Sequence, residues 1–197
     1  MTSEDKHKNR QQKLKNTVDN KIAAAQTERG ILLVLTGNGK GKSTAGFGTV
    51  TRSLGHGKKP AVVQFIKGSG PCGERNLLEP LGVPFAVMAT GFTWETQDKA
   101  KDKAAAEVTW VEAKKMLADP KLDLVLLDEL TYMLSYHYLD VDEVISAISS
   151  RPEHQTVIVT GRACHRKLLD IADTISELKA VKHAFDAGIK AQEGIDF

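Results

Sequence analysis

The chain has 197 residues, a formal net charge of +2 and a hydrophobic content of 41%. This length fits one domain with a full core, and so small a charge gives no argument for binding nucleic acid or a membrane. Two widely separated cysteines, Cys72 and Cys164, indicate a reducing compartment and argue against a disulfide framework. No apolar run has the length of a membrane span and no signal-peptide pattern is present, so we expect a cytoplasmic protein.

The N-terminal segment, residues 1–29, differs in composition from the rest of the chain. It is rich in Lys, Arg, Gln and Asn, and its apolar residues Leu14, Val18 and Ile22 recur every four positions. This spacing marks one narrow face of a helix. Two interpretations remain open: a solvated, partly disordered arm, or a helix that docks on a partner surface or closes over a site.

From residue 30 to residue 197 the chain alternates between strand-like and helical patterns, which we treat as one domain. Several strand-like runs are apolar throughout, as is typical of a sheet that is covered on both faces. Alternation of this kind predicts an α/β fold with a mostly parallel central sheet, in which ligands bind at the carboxyl ends of the strands. The predicted strands are 31–36, 61–66, 84–88, 122–127, 156–160 and 174–179, and the predicted helices are 42–54, 74–80, 98–118, 141–149 and 165–172.

A glycine-rich turn, TGNGKGKST at residues 36–44, follows the first strand and precedes the first helix of this domain. Glycines let successive backbone N–H groups point at phosphate oxygens, and the helix N-terminus adds partial positive charge. The common phosphate loop has four residues between its first Gly and its Gly-Lys pair, whereas only three follow Gly37 here. We predict a variant phosphate loop whose binding residues are Gly37, Asn38, Gly39, Lys40, Gly41, Lys42, Ser43 and Thr44, with Lys42 on the phosphates and Ser43 on Mg²⁺.

The apolar run at 124–127 ends in two acids, Asp128 and Glu129. Buried strands often end in an acid, so this pattern is weak by itself. Beside a phosphate loop it predicts the magnesium side of the site, because carboxylate oxygens suit a hard cation that keeps several waters. Which of the two acids touches the metal stays open.

Three further loops follow predicted strands and should lie on the ligand-facing edge. The loop at 89–95 contains Phe92 and Trp94, which either pack in the core or contact a large, flat, apolar ligand. The loop at 68–76 is either a binding loop or plain surface. Arg162 follows the fifth predicted strand and either meets a phosphate or ribose or forms a structural ion pair.

Taken together, these motifs resemble the ATP:corrinoid adenosyltransferases of the P-loop type. The resemblance covers nearly the whole chain, and the shortened phosphate loop is the pattern of this family, although Ser43 stands where Thr is common. The motifs that carry it are TGNGKGKSTA (36–45), VQFIKG (63–68), GERN (73–76), MATGFTW (88–94), LDELTY (127–132), VTGR (159–162) and VKHAFDAGIKAQ (181–192).

The resemblance implies a three-layer P-loop NTPase (RecA-like) fold and a specific reaction. The Co(I) of cob(I)alamin or another corrinoid attacks the 5′ carbon of ATP, and triphosphate leaves. The implied metal ion is Mg²⁺, with Mn²⁺ as the alternative. Lys42 would stabilise the leaving group, while Phe92 and Trp94 would displace the lower axial ligand of the corrinoid. The resemblance also implies a homodimer, an N-terminal helix that covers an active site, and a reduced flavodoxin-like donor of the electron that converts Co(II) to Co(I).

Two other functions fit parts of the pattern. A RecA-like ATPase would use Glu129 to activate water and would release ADP and phosphate. A non-catalytic regulator would bind ATP without turnover. The loop with Phe92 and Trp94 and the tail at 183–192 favour the adenosyltransferase.

Overall fold

The computed structural model describes residues 2–66, 72–88 and 98–196. Within these ranges six parallel strands form one sheet, in the order β3-β2-β4-β5-β1-β6. Strand β5 therefore lies between β1, which precedes the glycine-rich loop, and β4, which ends in the acids. The strands are β1 (Leu32–Thr36), β2 (Pro60–Gln64), β3 (Phe85–Val87), β4 (Leu124–Asp128), β5 (Thr156–Thr160) and β6 (Thr174–Glu177).

Helices cover both faces of the sheet, so the molecule has three layers. In the described part of the chain they are α1 (Ser3–Ala24), α2 (Lys42–Gly55), α3 (Gly73–Leu78), α4 (Lys99–Ala118), α5 (Leu130–Ser135), α6 (Val141–Ser149) and α7 (Arg166–Asp170). Two short 3₁₀ turns occupy Glu79–Leu81 and Phe185–Ala187. None of the helices in these ranges combines the length and the apolar character needed to cross a bilayer.

Alternate residues of each central strand enter two separate hydrophobic clusters, one on each face. On β4, Val125 and Leu127 join the larger cluster, which is completed by α4, α5, α6 and α7. Leu124 and Leu126 point the other way and pack against Phe47 of α2. This two-sided burial explains why the strands are apolar throughout, and the predicted three-layer α/β fold with its parallel sheet is confirmed.

Helix α1 differs from the other long helices because all of its described side chains are exposed. A capping box starts the helix: Thr2 accepts a hydrogen bond from the N–H of Asp5 at 3.1 Å, and Asp5 accepts one from Thr2. The predicted apolar face is exposed to solvent, with Leu14 59%, Val18 44% and Ile22 66% exposed. A docking role for this helix stays a prediction.

Candidate functional site

The loops after β1, β4 and β5 meet at the carboxyl edge of the sheet. Because β5 lies between β1 and β4, the residues that follow these three strands are close in space although they are far apart in sequence. Ligands bind at this edge in parallel α/β sheets. The geometry of the site therefore depends on three short segments, 37–44, 128–132 and 160–162.

The glycine-rich loop turns from β1 into α2 through two left-handed residues, Gly37 with φ 100° and Gly41 with φ 110°. Gly41 is the N-cap of α2 and makes no side-chain capping hydrogen bond. The first N–H groups of a helix lack partners within it, and the helix dipole adds positive potential there. This helix start can therefore hold an anion, as the sequence predicts.

The segment after β6 supports the loop from behind. The N–H of Gly39 donates to the carbonyl of Leu178 at 2.7 Å, and the N–H of Leu178 donates to the carbonyl of Thr36 at 2.8 Å. A Cβ at Gly39 would lie 2.7 Å from the carbonyl oxygen of Lys179. Only glycine allows the two backbones to approach this closely, so the phosphate loop has a fixed back wall.

The two lysines of the loop, Lys42 and Lys40, differ in burial and in their hydrogen-bond partners. Lys42 is partly buried, and its ammonium donates to the carbonyl of Gly39 at 2.6 Å. This burial lowers the pKa of Lys42 below its ordinary value, and the nearby positive charge of Arg162 lowers it further. Lys40 is more exposed and pairs with Asp196 at 2.7 Å. The pair lowers the pKa of Asp196.

The two acids after β4 occupy different environments. Asp128 is fully buried and accepts a hydrogen bond from the hydroxyl of Thr160 at 2.7 Å. Nε2 of Gln64 lies 3.5 Å from its other oxygen. Glu129 instead lines the same pocket as Ser43. The pocket thus faces Glu129, while Asp128 lies in the layer beneath it.

A cavity of about 410 Å³ brings most of the predicted site residues together. The predicted ones along its walls are Lys40, Gly41, Lys42, Ser43, Thr44, Glu129 and Arg162. Gly37 and Gly39 form the rear of the loop against the segment after β6. The structure does not place Asn38 or Asp128 on the cavity wall. Phe92 and Trp94 lie outside the described residues.

Several residues of the pocket were not found by sequence reasoning. Leu77 and Tyr132 supply apolar surface, and the tail residues Gly194, Ile195 and Asp196 close one side. No local pattern links the tail to a loop so far away in sequence. Thr160 was also missed as a functional residue, although its position at the end of an apolar strand was a usable signal.

The donor groups fit a magnesium ion that is bound together with a triphosphate. No group of three or more His, Cys, Asp or Glu side chains that could hold a metal occurs within 2–66, 72–88 and 98–196. Mg²⁺ does not need such a cage, because it usually takes one or two protein oxygens, phosphate oxygens and waters. Ser43 and Glu129, which carry a hydroxyl and a carboxylate, line the cavity together with Lys42.

This combination of fold and site defines a P-loop nucleotide-binding protein: a parallel sheet with a glycine-rich loop after β1, a lysine at the helix start and an acid after β4. The family model for ATP:corrinoid adenosyltransferase BtuR/CobO/CobP matches residues 28–197. The chain belongs to this family.

Full-length relatives agree with that assignment. The chain is 65% identical over 195 residues to corrinoid adenosyltransferase CobA of Salmonella typhimurium strain LT2, covering 99% of this chain and 100% of that protein. It is 63% identical to a corrinoid adenosyltransferase of Escherichia coli K12, with the same coverage. A corrinoid adenosyltransferase of Pseudomonas aeruginosa is 51% identical, over 98% of this chain and 96% of the relative.

Proposed function

We propose that this protein transfers the 5′-deoxyadenosyl group of ATP to the cobalt of a reduced corrinoid, in the formation of adenosylcobalamin. The observation that carries the proposal is the pocket built from Lys42, Ser43, Glu129 and Arg162, in a chain that matches the family over residues 28–197. The Co(I) lone pair forms a bond to C5′ as the bond between C5′ and the triphosphate oxygen breaks. Triphosphate leaves with the electron pair.

The charge that develops in this reaction lies almost entirely on the leaving group. Lys42, Arg162 and the N–H groups at the start of α2 are the donors that would stabilise it, and fixed donors of this kind are the largest single contribution in many enzymes. Lys40 can also bind the triphosphate if its ion pair with Asp196 breaks. Mg²⁺, held by Ser43 and Glu129, would neutralise part of the triphosphate charge; Mn²⁺ is a chemically similar alternative.

The corrinoid-facing residues and the partners complete the proposal. Phe92 and Trp94 would displace the lower axial ligand, because apolar side chains fill that space without coordinating cobalt. The exposed stripe of Leu14, Val18 and Ile22 on α1 supports a homodimer in which this helix covers an active site. A reduced flavodoxin-like protein would supply the electron that reduces Co(II) of the corrinoid to the reactive Co(I), and the enzyme would act in the cytoplasm.

The decisive experiment mixes the protein with ATP, Mg²⁺ and chemically reduced cob(I)alamin in the absence of oxygen and light. We expect the absorbance spectrum of a cobalt–carbon bond and one triphosphate for each bond formed, measured by phosphorus NMR. Formation of ADP and phosphate without the cobalt–carbon bond would instead identify an ATPase. Binding of ATP with no product at all would identify a regulator.

A further inference from the structure

Side-chain hydrogen bonds join β4 and β5 at the point where their backbone register ends. The register runs to Leu127 opposite Val159. Just beyond it, the N–H of Glu129 donates to Oγ1 of Thr160 at 2.9 Å, and the same hydroxyl donates to Oδ1 of Asp128 at 2.7 Å. A hydroxyl has one hydrogen and two lone pairs, so Thr160 can donate to the carboxylate of Asp128 and accept from the backbone N–H of Glu129 at the same time.

Glu129 needs this support because its backbone is left-handed. Its φ is 63° and its ψ is 19°, a conformation that is unfavourable for a residue with a side chain. The turn carries the chain from β4 into α5 and puts Glu129 on the wall of the phosphate pocket, while Asp128 stays buried. The bond from its N–H to Thr160 compensates for part of this cost.

A second hydrogen bond runs between the same two segments. The hydroxyl of Thr131 donates to the carbonyl of Arg162 at 2.7 Å. Gly161, which directly precedes Arg162, has φ 137°, and a Cβ there would lie 2.0 Å from Oγ1 of Thr131. The residues after β5 therefore lie directly against the start of α5, and the backbones that carry Glu129 and Arg162 are fixed relative to each other.

We propose that Thr160 is a positioning residue of the adenosyl transfer, whose hydroxyl holds the turn that presents the Glu129 carboxylate to the metal ion of bound ATP. Thr160 is fully buried and does not line the pocket, so it acts through its two acidic neighbours. This inference rests on the proposed function, in which Glu129 lies on the metal side of the triphosphate.

Three variants of the full chain test this role. Thr160→Val keeps the shape of the side chain and removes the hydroxyl, whereas Thr160→Ser keeps the hydroxyl. Thr156→Val is the matched control, because Thr156 lies at the opposite end of β5 and its hydroxyl accepts a bond from the N–H of Ile31 at 3.3 Å, away from the pocket. Thr160→Ala provides the same comparison if the valine variant does not fold.

The first measurement follows Mn²⁺ binding in the presence of ATP, through the electron spin resonance signal of the free ion, and needs neither corrinoid nor turnover. Thr160→Val should weaken Mn²⁺ binding about tenfold or more, the usual effect of losing a residue that orients a metal ligand. The serine variant and the Thr156→Val control should bind Mn²⁺ like the unaltered chain. In adenosyl transfer to chemically reduced cobalamin, the valine variant should lose kcat and the serine variant should recover it.

Unchanged Mn²⁺ binding in Thr160→Val would overturn the proposal. A defect in Thr160→Ser as large as that in Thr160→Val would also overturn it, because the hydroxyl would then not be the active group. An equal defect in Thr156→Val would also overturn it, because the loss of Mn²⁺ binding would then come from a less stable β5 and not from the hydroxyl of Thr160. If the unaltered chain binds Mn²⁺ and ATP but forms no cobalt–carbon bond, the proposed function fails, while Mn²⁺ binding by the variants still decides whether Thr160 positions Glu129 for the metal ion.

Discussion

At the scale of single residues, the two lysines of the glycine-rich loop differ in the groups to which they are bound. Lys42 donates to a backbone carbonyl of its own loop and is partly buried, whereas Lys40 is held by the carboxylate of Asp196 at the other end of the chain. A carbonyl is a weaker partner for an ammonium than a carboxylate is. Lys42 can therefore turn to a triphosphate at lower cost than Lys40 can.

The first prediction concerns Lys42→Met, which keeps the length of the side chain and removes the charge. We expect a loss of about 3 kcal/mol of transition-state stabilisation, by analogy with the removal of one preorganised donor. That loss lowers kcat/KM for ATP about a hundredfold. Steady-state kinetics with chemically reduced cobalamin measure it.

The control for this prediction is Lys58→Met, which removes an equally charged side chain far from the pocket. Lys58 is exposed and lies 3.4 Å from Asp123, so its loss should leave kcat/KM unchanged. Near-normal kcat/KM in Lys42→Met would contradict the role that we assign to Lys42.

At the scale of elements, the turn between β1 and α2 depends on what lies behind it. Gly39 touches the backbone of the segment after β6, whereas Gly48, in the middle of α2, has nothing within 4 Å of the place where a Cβ would be. Replacing each of these two glycines by alanine therefore distinguishes the effect of close backbone packing on stability from the effect of helix propensity.

The second prediction is that Gly39→Ala and Gly48→Ala have opposite effects on stability. A Cβ at Gly39 would push against the carbonyl of Lys179, which should cost about 1–3 kcal/mol of unfolding free energy, as overpacking does. It should also weaken ATP binding, because the loop shifts. Gly48→Ala should add about 0.5–1 kcal/mol, since alanine favours an exposed helix position. Denaturant unfolding and ATP titration of both variants check this; equal stability of the two would contradict the fixed back wall.

Local patterns were enough to predict most of the elements. The alternation of strand-like and helical runs predicted all six strands of the described sheet, and the glycine-rich motif predicted the loop before α2. Helix α5 was missed because it is six residues long, too short to show a helical period. The site residues that belong to a contiguous motif could likewise be predicted from the sequence. The pocket residues outside such motifs were not predicted, since Leu77 and Ile195 reach the pocket only through the fold of the whole chain.

At the scale of the whole molecule, β6 is the exposed edge strand next to β1, and its end leads into the back wall of the phosphate loop. Asp173, just before β6, fixes this edge. Its carboxylate accepts hydrogen bonds from the guanidinium of Arg29 and, at 2.8 Å, from the N–H of Leu32. Its own N–H donates to the carbonyl of Leu32 at 3.0 Å. One side chain therefore connects the segment before β1, the start of β1 and the start of β6.

The third prediction concerns the dependence of stability on pH. The hydrogen bond from Arg29, followed by the one from the N–H of Leu32, lowers the pKa of Asp173 from 3.8 to about 2. A lowered pKa means that the folded state binds the proton less tightly than the unfolded chain does. The stabilisation is therefore complete above the unfolded pKa of 3.8 and is lost as the pH falls toward 2.

Asp173→Asn should lower the free energy of unfolding at pH 7 by about 1 kcal/mol, a value reduced for the solvent exposure of the pair. In a chain of this size that corresponds to a fall in Tm of about 3 °C. The difference between the variant and the unaltered chain should narrow as the pH falls from about 5 to about 2, because the unaltered chain loses the same interaction. Asp19→Asn, which breaks an exposed ion pair with Lys15 within α1, should leave Tm unchanged. A difference in Tm that stays constant from pH 7 to pH 2.5 would show that Asp173 stabilises the edge by some means other than its charge.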